Sequence, residues 1–175
     1  EEYGPVKMKQ EEAIAWIQAA IDRAEGARWA WGGYTGLGRL RALQGRFAEG
    51  RELIARARAS AEDVGNRHAL ASLLGAEGEI EYAAGNSAEA ARLIRESYEA
   101  MTATGDRSFA STIAVALGYV LLDLDEADEA WRFGTIARDT SSTDDVVSQA
   151  GGRAVQARVL SRRGDHDRAA SLARG

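Results

Sequence analysis

Along this chain apolar residues return every three to four positions, the spacing that lines one face of an α-helix. Ile14, Ile17 and Ile21 form one such stripe, and Leu93, Ile94, Tyr98 and Met101 another. Glycine and short polar clusters interrupt the stripes at regular intervals, and these are the residues that end helices and turn the chain. The pattern predicts helices near 9–25, 28–44, 46–64, 67–84, 86–104, 107–124, 126–140, 146–163 and 165–174. Composition agrees. Alanine supplies 35 of the 175 residues, proline occurs once, at Pro5, and β-branched residues are few. Each of these preferences favours helix. The fold class expected is all-α.

The interruptions repeat. Gly38, Gly78 and Gly118 stand 40 residues apart, as do Gly45, Gly85 and Asp125; a further copy runs one residue early, at Gly164. The segment from Gly65 to Ser72 is echoed by Gly105 to Thr112, with glycine, a small polar residue and arginine in the same order. A fixed period of this length is the mark of stacked supersecondary units. Each period holds two helices, joined by the turn at Gly45, Gly85, Asp125 or Gly164. Gly65, Gly105 and the Asp144-Asp145 pair separate one period from the next. The domain expected is a single right-handed α-solenoid over 1–175, with a half repeat at 9–25 and helix pairs at 28–64, 67–104, 107–140 and 146–174. Glycine inside a helix costs about 1 kcal/mol relative to alanine. Its recurrence at Gly38, Gly78 and Gly118 therefore points to close helix contact, with Gly50, Ala90, Ala130 and Ala169 as the small residues on the paired helix.

Tyr34, Leu37 and Gly38, followed by Gly45, Phe47, Gly50 and Ile54, resemble the tetratricopeptide repeat signature of a large residue, Leu-Gly, then small and aromatic positions. Arg41 stands where that family carries tyrosine, no proline closes a repeat, and the period is 40 rather than 34. HEAT-like pairs, whose period is 40 to 47, are the alternative. A narrower resemblance rests on Leu43–Glu49, Gly105–Ser108, Leu122–Ala130 and Asp144–Gln149. These segments resemble the C-terminal helical tails of large bacterial signalling proteins, in which a class III nucleotide cyclase or a LuxR-type DNA-binding domain accompanies a regulatory ATPase module. No cyclase or ATPase motif occurs in this chain. The resemblance implies a non-catalytic module for binding a protein, a peptide or other domains of a parent chain. In tetratricopeptide solenoids the first helix of each pair lines the concave face, and the matching positions here are Thr35, Arg39, Glu79, Tyr82, Thr112 and Tyr119. Helix 9–25 reads as the second half of an incomplete repeat and residues 170–175 stop inside a second helix, so a fragment of a longer protein is expected, with terminal helices that present apolar stripes and support weak self-association.

Charge and cysteine content narrow the setting. The chain carries a net charge of −5, 28% charged residues and 45% apolar ones, which argues against disorder and against a generally basic nucleic-acid binder. It has no cysteine, hence no disulfide framework or thiolate metal site. No apolar run approaches the roughly 20 residues of a membrane span, and a cytoplasmic location is expected. Charge is uneven: residues 121–145 are net acidic and 146–175 net basic, an arrangement that lets adjacent repeats attract.

Candidate chemistry is sparse. The glycine-rich stretch Gly32–Gly38 lacks the preceding strand and following Lys-Ser or Lys-Thr of a phosphate loop. Asp123, Asp125, Glu126, Asp128 and Glu129 miss the ligand and glycine spacing of a calcium loop. His68 and His166 each stand without a second ligand, and Ser108, Ser111 and Ser148 lack a nucleophile elbow. No cofactor, metal or catalytic residue is expected. Trp16, Trp29, Trp31 and Trp131 read as core aromatics, three of them crowding the first repeat. The alternative function is a small-molecule sensor, in which an effector at the groove or near Trp29 and Trp31 biases a linked ATPase or cyclase.

Overall fold

The computed structural model describes residues 10–23 and 30–174, and all regular structure among them is helical. The elements are α1 (Gln10–Arg23), α2 (Ala30–Leu43), α3 (Phe47–Asp63), α4 (Arg67–Ala83), α5 (Ser87–Thr104), α6 (Arg107–Asp123), α7 (Ala127–Thr140), α8 (Val146–Arg162) and α9 (His166–Arg174). The boundaries fall within two residues of those expected. Trp29 and Pro5 lie outside the described residues.

Three of the helices that open a period begin in the same way. Asn66, Asp106 and Asp145 each accept a hydrogen bond from the backbone N–H three residues on, at 3.0, 2.9 and 3.0 Å, satisfying a donor that the first helical turn leaves free. The turn inside each pair needs a left-handed residue. Gly45, Gly85 and Gly164 take φ of 75°, 85° and 83°, and Asp125 is forced to 62° at the same place in the third pair.

These turns fold the chain into hairpins: α2 against α3, α4 against α5, α6 against α7, and α8 against α9. Along the stack α2 also packs beside α4, and α6 beside α8. The apolar stripes meet in two main cores. One joins Ile54, Leu73 and Ile80 of the first two pairs; the larger joins Ile94, Met101, Leu117, Leu121, Phe133 and Val155. A fully buried side chain of this size contributes about 1.5–3 kcal/mol.

Close approach explains the helix glycines, with one change of partner. A Cβ on Gly38 would lie 3.1 Å from the Gly50 carbonyl oxygen, and one on Gly78 would lie 2.6 Å from Ile94 Cγ1 and 3.1 Å from the Ala90 oxygen. Those are the expected pairings. Gly118 instead faces the next repeat, where its Cβ would stand 3.0 Å from Val155 Cγ1 on α8. The third pair thus uses its glycine to admit α8, and Gly134 and Gly152 bring α7 and α8 equally close: a Cβ on Gly152 would lie 2.6 Å from the Gly134 oxygen.

Candidate interaction face

The helices that open each pair place one repeat position on a common face. At that position stand Arg39, Glu79, Tyr119 and Arg158, separated by 40, 40 and 39 residues. Neighbours along this row engage each other. Arg39 Nε lies 2.7 Å from Glu79 Oε2, and the Arg158 guanidinium lies 5.1 Å from the centre of the Tyr119 ring. Both contacts lie within the side-by-side helix pairs, α2 with α4 and α6 with α8.

Between α4 and α6 the backbones stand further apart than in these two pairs, and longer side chains bridge them. Tyr82 crosses the gap and donates its hydroxyl to Asp123 Oδ2. That hydrogen bond, with partial burial and the negative charge of Asp123, pushes the Tyr82 phenol up to about 12. Asp123 also lies 4.0 Å from Arg162, which reaches Asp125 at 3.6 Å and donates to the Leu122 carbonyl.

Beneath the Arg39–Glu79 pair lies an apolar hollow of about 180 Å³, lined by Ala42, Leu43, Ile80 and Ala83 together with the stems of the pair. Leu43 is 71% exposed, a large apolar side chain at the mouth of an apolar hollow. Of the six groove positions expected from sequence, Arg39, Glu79, Tyr82 and Tyr119 share this face, and Thr112 sits two turns before Tyr119 on α6, where its hydroxyl is 3.3 Å from Ser148 Oγ. Thr35 departs from expectation. It is buried, and its hydroxyl donates to the Trp31 carbonyl at 2.7 Å, so it serves the interior of α2.

Sequence reasoning placed Asp123 only in an acidic run and missed Arg158, although Arg158 lies 39 residues after Tyr119, the step of the last, shortened period. The other candidates resolve into structural roles. Gly32–Gly38 lies within helix α2. Asp125 and Asp128 are exposed and meet Arg162 and Arg163, so the acidic run answers the basic run that follows it. Ser111 and Ser148 are buried and share a hydrogen bond of 3.0 Å between α6 and α8. His68 stacks edge-on against Phe109, and His166 lies 3.5 Å from Ser161 Oγ. Among the described residues no group of three His, Cys, Asp or Glu could hold a metal ion. Glu81 is nearly buried, and its carboxyl is held below the usual range by Arg51 at 2.6 Å, with Asn86 at 2.7 Å adding to the clamp. This joins α3 to α4. The tryptophans divide: Trp16 is 66% exposed, whereas Trp31 and Trp131 are half-buried against the cores.

Residues 29–103 match the tetratricopeptide repeat family. A chain of nearly identical TPR-like repeats assigned to a kinesin light chain of Podosopora anserina superimposes with a TM-score of 0.68 at 14% identity, covering 93% of this chain and 83% of that one. A single-substitution variant of the same repeats gives 0.69 at 14% identity over 93% and 82%. BtubC (BKLC) of P. vanneervenii gives 0.73 at 18% identity over 93% and 70%. The fold is a tetratricopeptide-like α-solenoid. No curated protein matches the sequence. Tetratricopeptide-like repeats are protein-interaction scaffolds, whose stacked helices offer an extended surface to a partner. No described helix is long and apolar enough to cross a membrane.

Proposed function

We propose that this solenoid is a non-catalytic interaction and regulatory module that captures an extended peptide, from a partner protein or from another domain of its own parent chain, on the face shared by α2, α4, α6 and α8. The observation that carries this reading is the apolar hollow beneath the Arg39–Glu79 pair, continuous in repeat register with Tyr82, Asp123, Tyr119 and Arg158. The hollow takes one apolar anchor side chain; the tyrosines and charged groups offer donors and acceptors to the peptide around it. Binding energy at such surfaces concentrates in a few aromatic and arginine residues.

The parent protein suggested by the sequence is a bacterial signalling protein with a cyclase, ATPase or LuxR-type head in a cytoplasmic setting, and the module transmits partner occupancy to that head. Trp16, exposed on α1, is the side chain best placed for weak association between copies. A second reading, effector sensing for a linked ATPase or cyclase, is favoured by one observation: a mixed polar and apolar cleft bounded by α7, α8 and α9.

Selection of peptides from a displayed random library, followed by calorimetry on the selected peptide, tests the first reading. Tyr82→Ala combined with Tyr119→Ala is expected to weaken binding at least tenfold while helical circular dichroism stays unchanged. Peptides that bind the double variant as well as the parent, or a double variant that unfolds, would remove this face from consideration.

A further inference from the structure

We infer that the cleft between α7, α8 and α9 is a binding site for a small organic carboxylate with an apolar body. The cleft has a volume of about 270 Å³, and its walls divide by chemistry. Trp131, Leu160 and Leu172 supply apolar surface, while Arg138, Gln156 and Arg168 supply polar groups. None of the residues of the peptide face lines it.

Arg138 is the central feature. The residue is half-buried, with Nε of its guanidinium withdrawn from solvent and without an acceptor among the described residues. Its hydrogen-bond acceptor is neutral: Nη1 donates to Gln156 Oε1 at 2.8 Å. No described carboxylate lies within ion-pairing distance of it, in a protein where most clustered arginines, such as Arg39, Arg51, Arg58, Arg92 and Arg95, find one. A charge drawn out of water without a counter-ion is costly, and the cost is recovered when an anion arrives.

The surroundings hold this charge in place without neutralising it. Gln156 is 3% exposed, and its Nε2 donates to Thr135 Oγ1 at 2.8 Å, which turns Oε1 toward Arg138. The glycines at 134 and 152 let α7 and α8 approach closely enough for the Arg138 stem to run between them, with Cγ 2.6 Å from where a Cβ of Gly152 would lie. A second guanidinium, Arg168 on α9, borders the same cleft. Its partner is Asp165, three residues earlier at 3.1 Å, and its side chain remains 74% exposed, free to swing toward a ligand.

Arg138, without a carboxylate partner, and the exposed Arg168 beside it select an anion, and arginine's planar fork matches a carboxylate. The indole of Trp131 and the two leucines select an apolar or aromatic body joined to it. The volume lies just under the range that holds drug-sized ligands, which limits the ligand to a small molecule.

Isothermal titration calorimetry of the intact chain with phenylacetate, and with 2-phenylethanol as its uncharged counterpart, tests this assignment. Phenylacetate is expected to bind, and 2-phenylethanol to bind at least tenfold more weakly. Arg138→Met should reduce phenylacetate affinity at least tenfold while helical circular dichroism stays unchanged, the gain from removing an uncompensated charge being offset by the loss of the donor to Gln156 Oε1. Arg168→Gln, on the more exposed arginine, should cost a few-fold. Arg138→Lys should retain part of the affinity. Equal affinity for the two probes, no binding of phenylacetate, or full affinity in Arg138→Met would each overturn the proposal. If Arg138→Met fails to fold, the two-probe comparison and Arg168→Gln decide the question alone.

Discussion

Tyr82 shows how much one side chain can report about the surface it occupies. Its phenol is pushed up to about 12 because Asp123 accepts its proton in a hydrogen bond, which favours the neutral form. An unfolded tyrosine titrates near 10. The folded value lies above the unfolded one, so the stability contributed by this pair is complete below about pH 10 and is lost as pH rises from about 10 to 12. Asp123→Asn should therefore flatten the fall in stability over that window in urea melts, and NMR titration of the Tyr82 ring should move back toward 10. An unchanged titration in the variant would show that burial alone holds the phenol neutral. Asp125 is a different kind of singularity. It occupies a left-handed position that three other turns give to glycine, and its side chain is almost fully exposed, so the backbone, rather than any contact of the carboxylate, sets the character of this turn.

At the scale of the helix, close packing and intrinsic propensity make opposite demands, and Gly78 is where they can be separated. Leucine is a far better helix former than glycine. Yet the first carbon of any side chain at Gly78 meets the stem of buried Ile94 at 2.6 Å and the Ala90 carbonyl at 3.1 Å. Gly78→Leu should cost about 1–3 kcal/mol through overpacking of α4 on α5. Equilibrium denaturation measures it, and a stabilised variant would place Gly78 away from α5. The same position shows what was legible from sequence. Helix boundaries, turns and the Gly38 and Gly78 contacts could be read because they recur within each 40-residue period. The partner of Gly118 could not, since it depends on how the third pair meets the fourth, where the period shortens by one residue. Thr35 was misplaced for a related reason: repeat position specifies a face of the helix, but a hydroxyl on its border can turn inward to a carbonyl four residues back. The Arg138–Gln156–Thr135 chain was invisible for want of any repeat counterpart.

For the molecule as a whole, charge runs in blocks that meet across the last two repeats. Arg162 and Arg163 face Asp123, Asp125 and Asp128, all well exposed, and pairs of this kind are each worth about 0–1 kcal/mol. Arg162→Gln with Arg163→Gln should cost about 1 kcal/mol at low salt and less at about 1 M NaCl, where screening is nearly complete. An equal loss at both concentrations would transfer the effect to the hydrogen bond between Arg162 and the Leu122 carbonyl. The gap between α4 and α6 has a consequence of another sort. In a stack whose units touch only their neighbours, a pull applied along the axis is borne in series, so extension concentrates at the most compliant junction. Between the second and third pairs that load passes through α5 packed on α6 and through the Tyr82–Asp123 and His68–Phe109 contacts. A peptide laid across Tyr82 and Tyr119 would add a further link in parallel with these contacts and act as a splint between the second and third pairs.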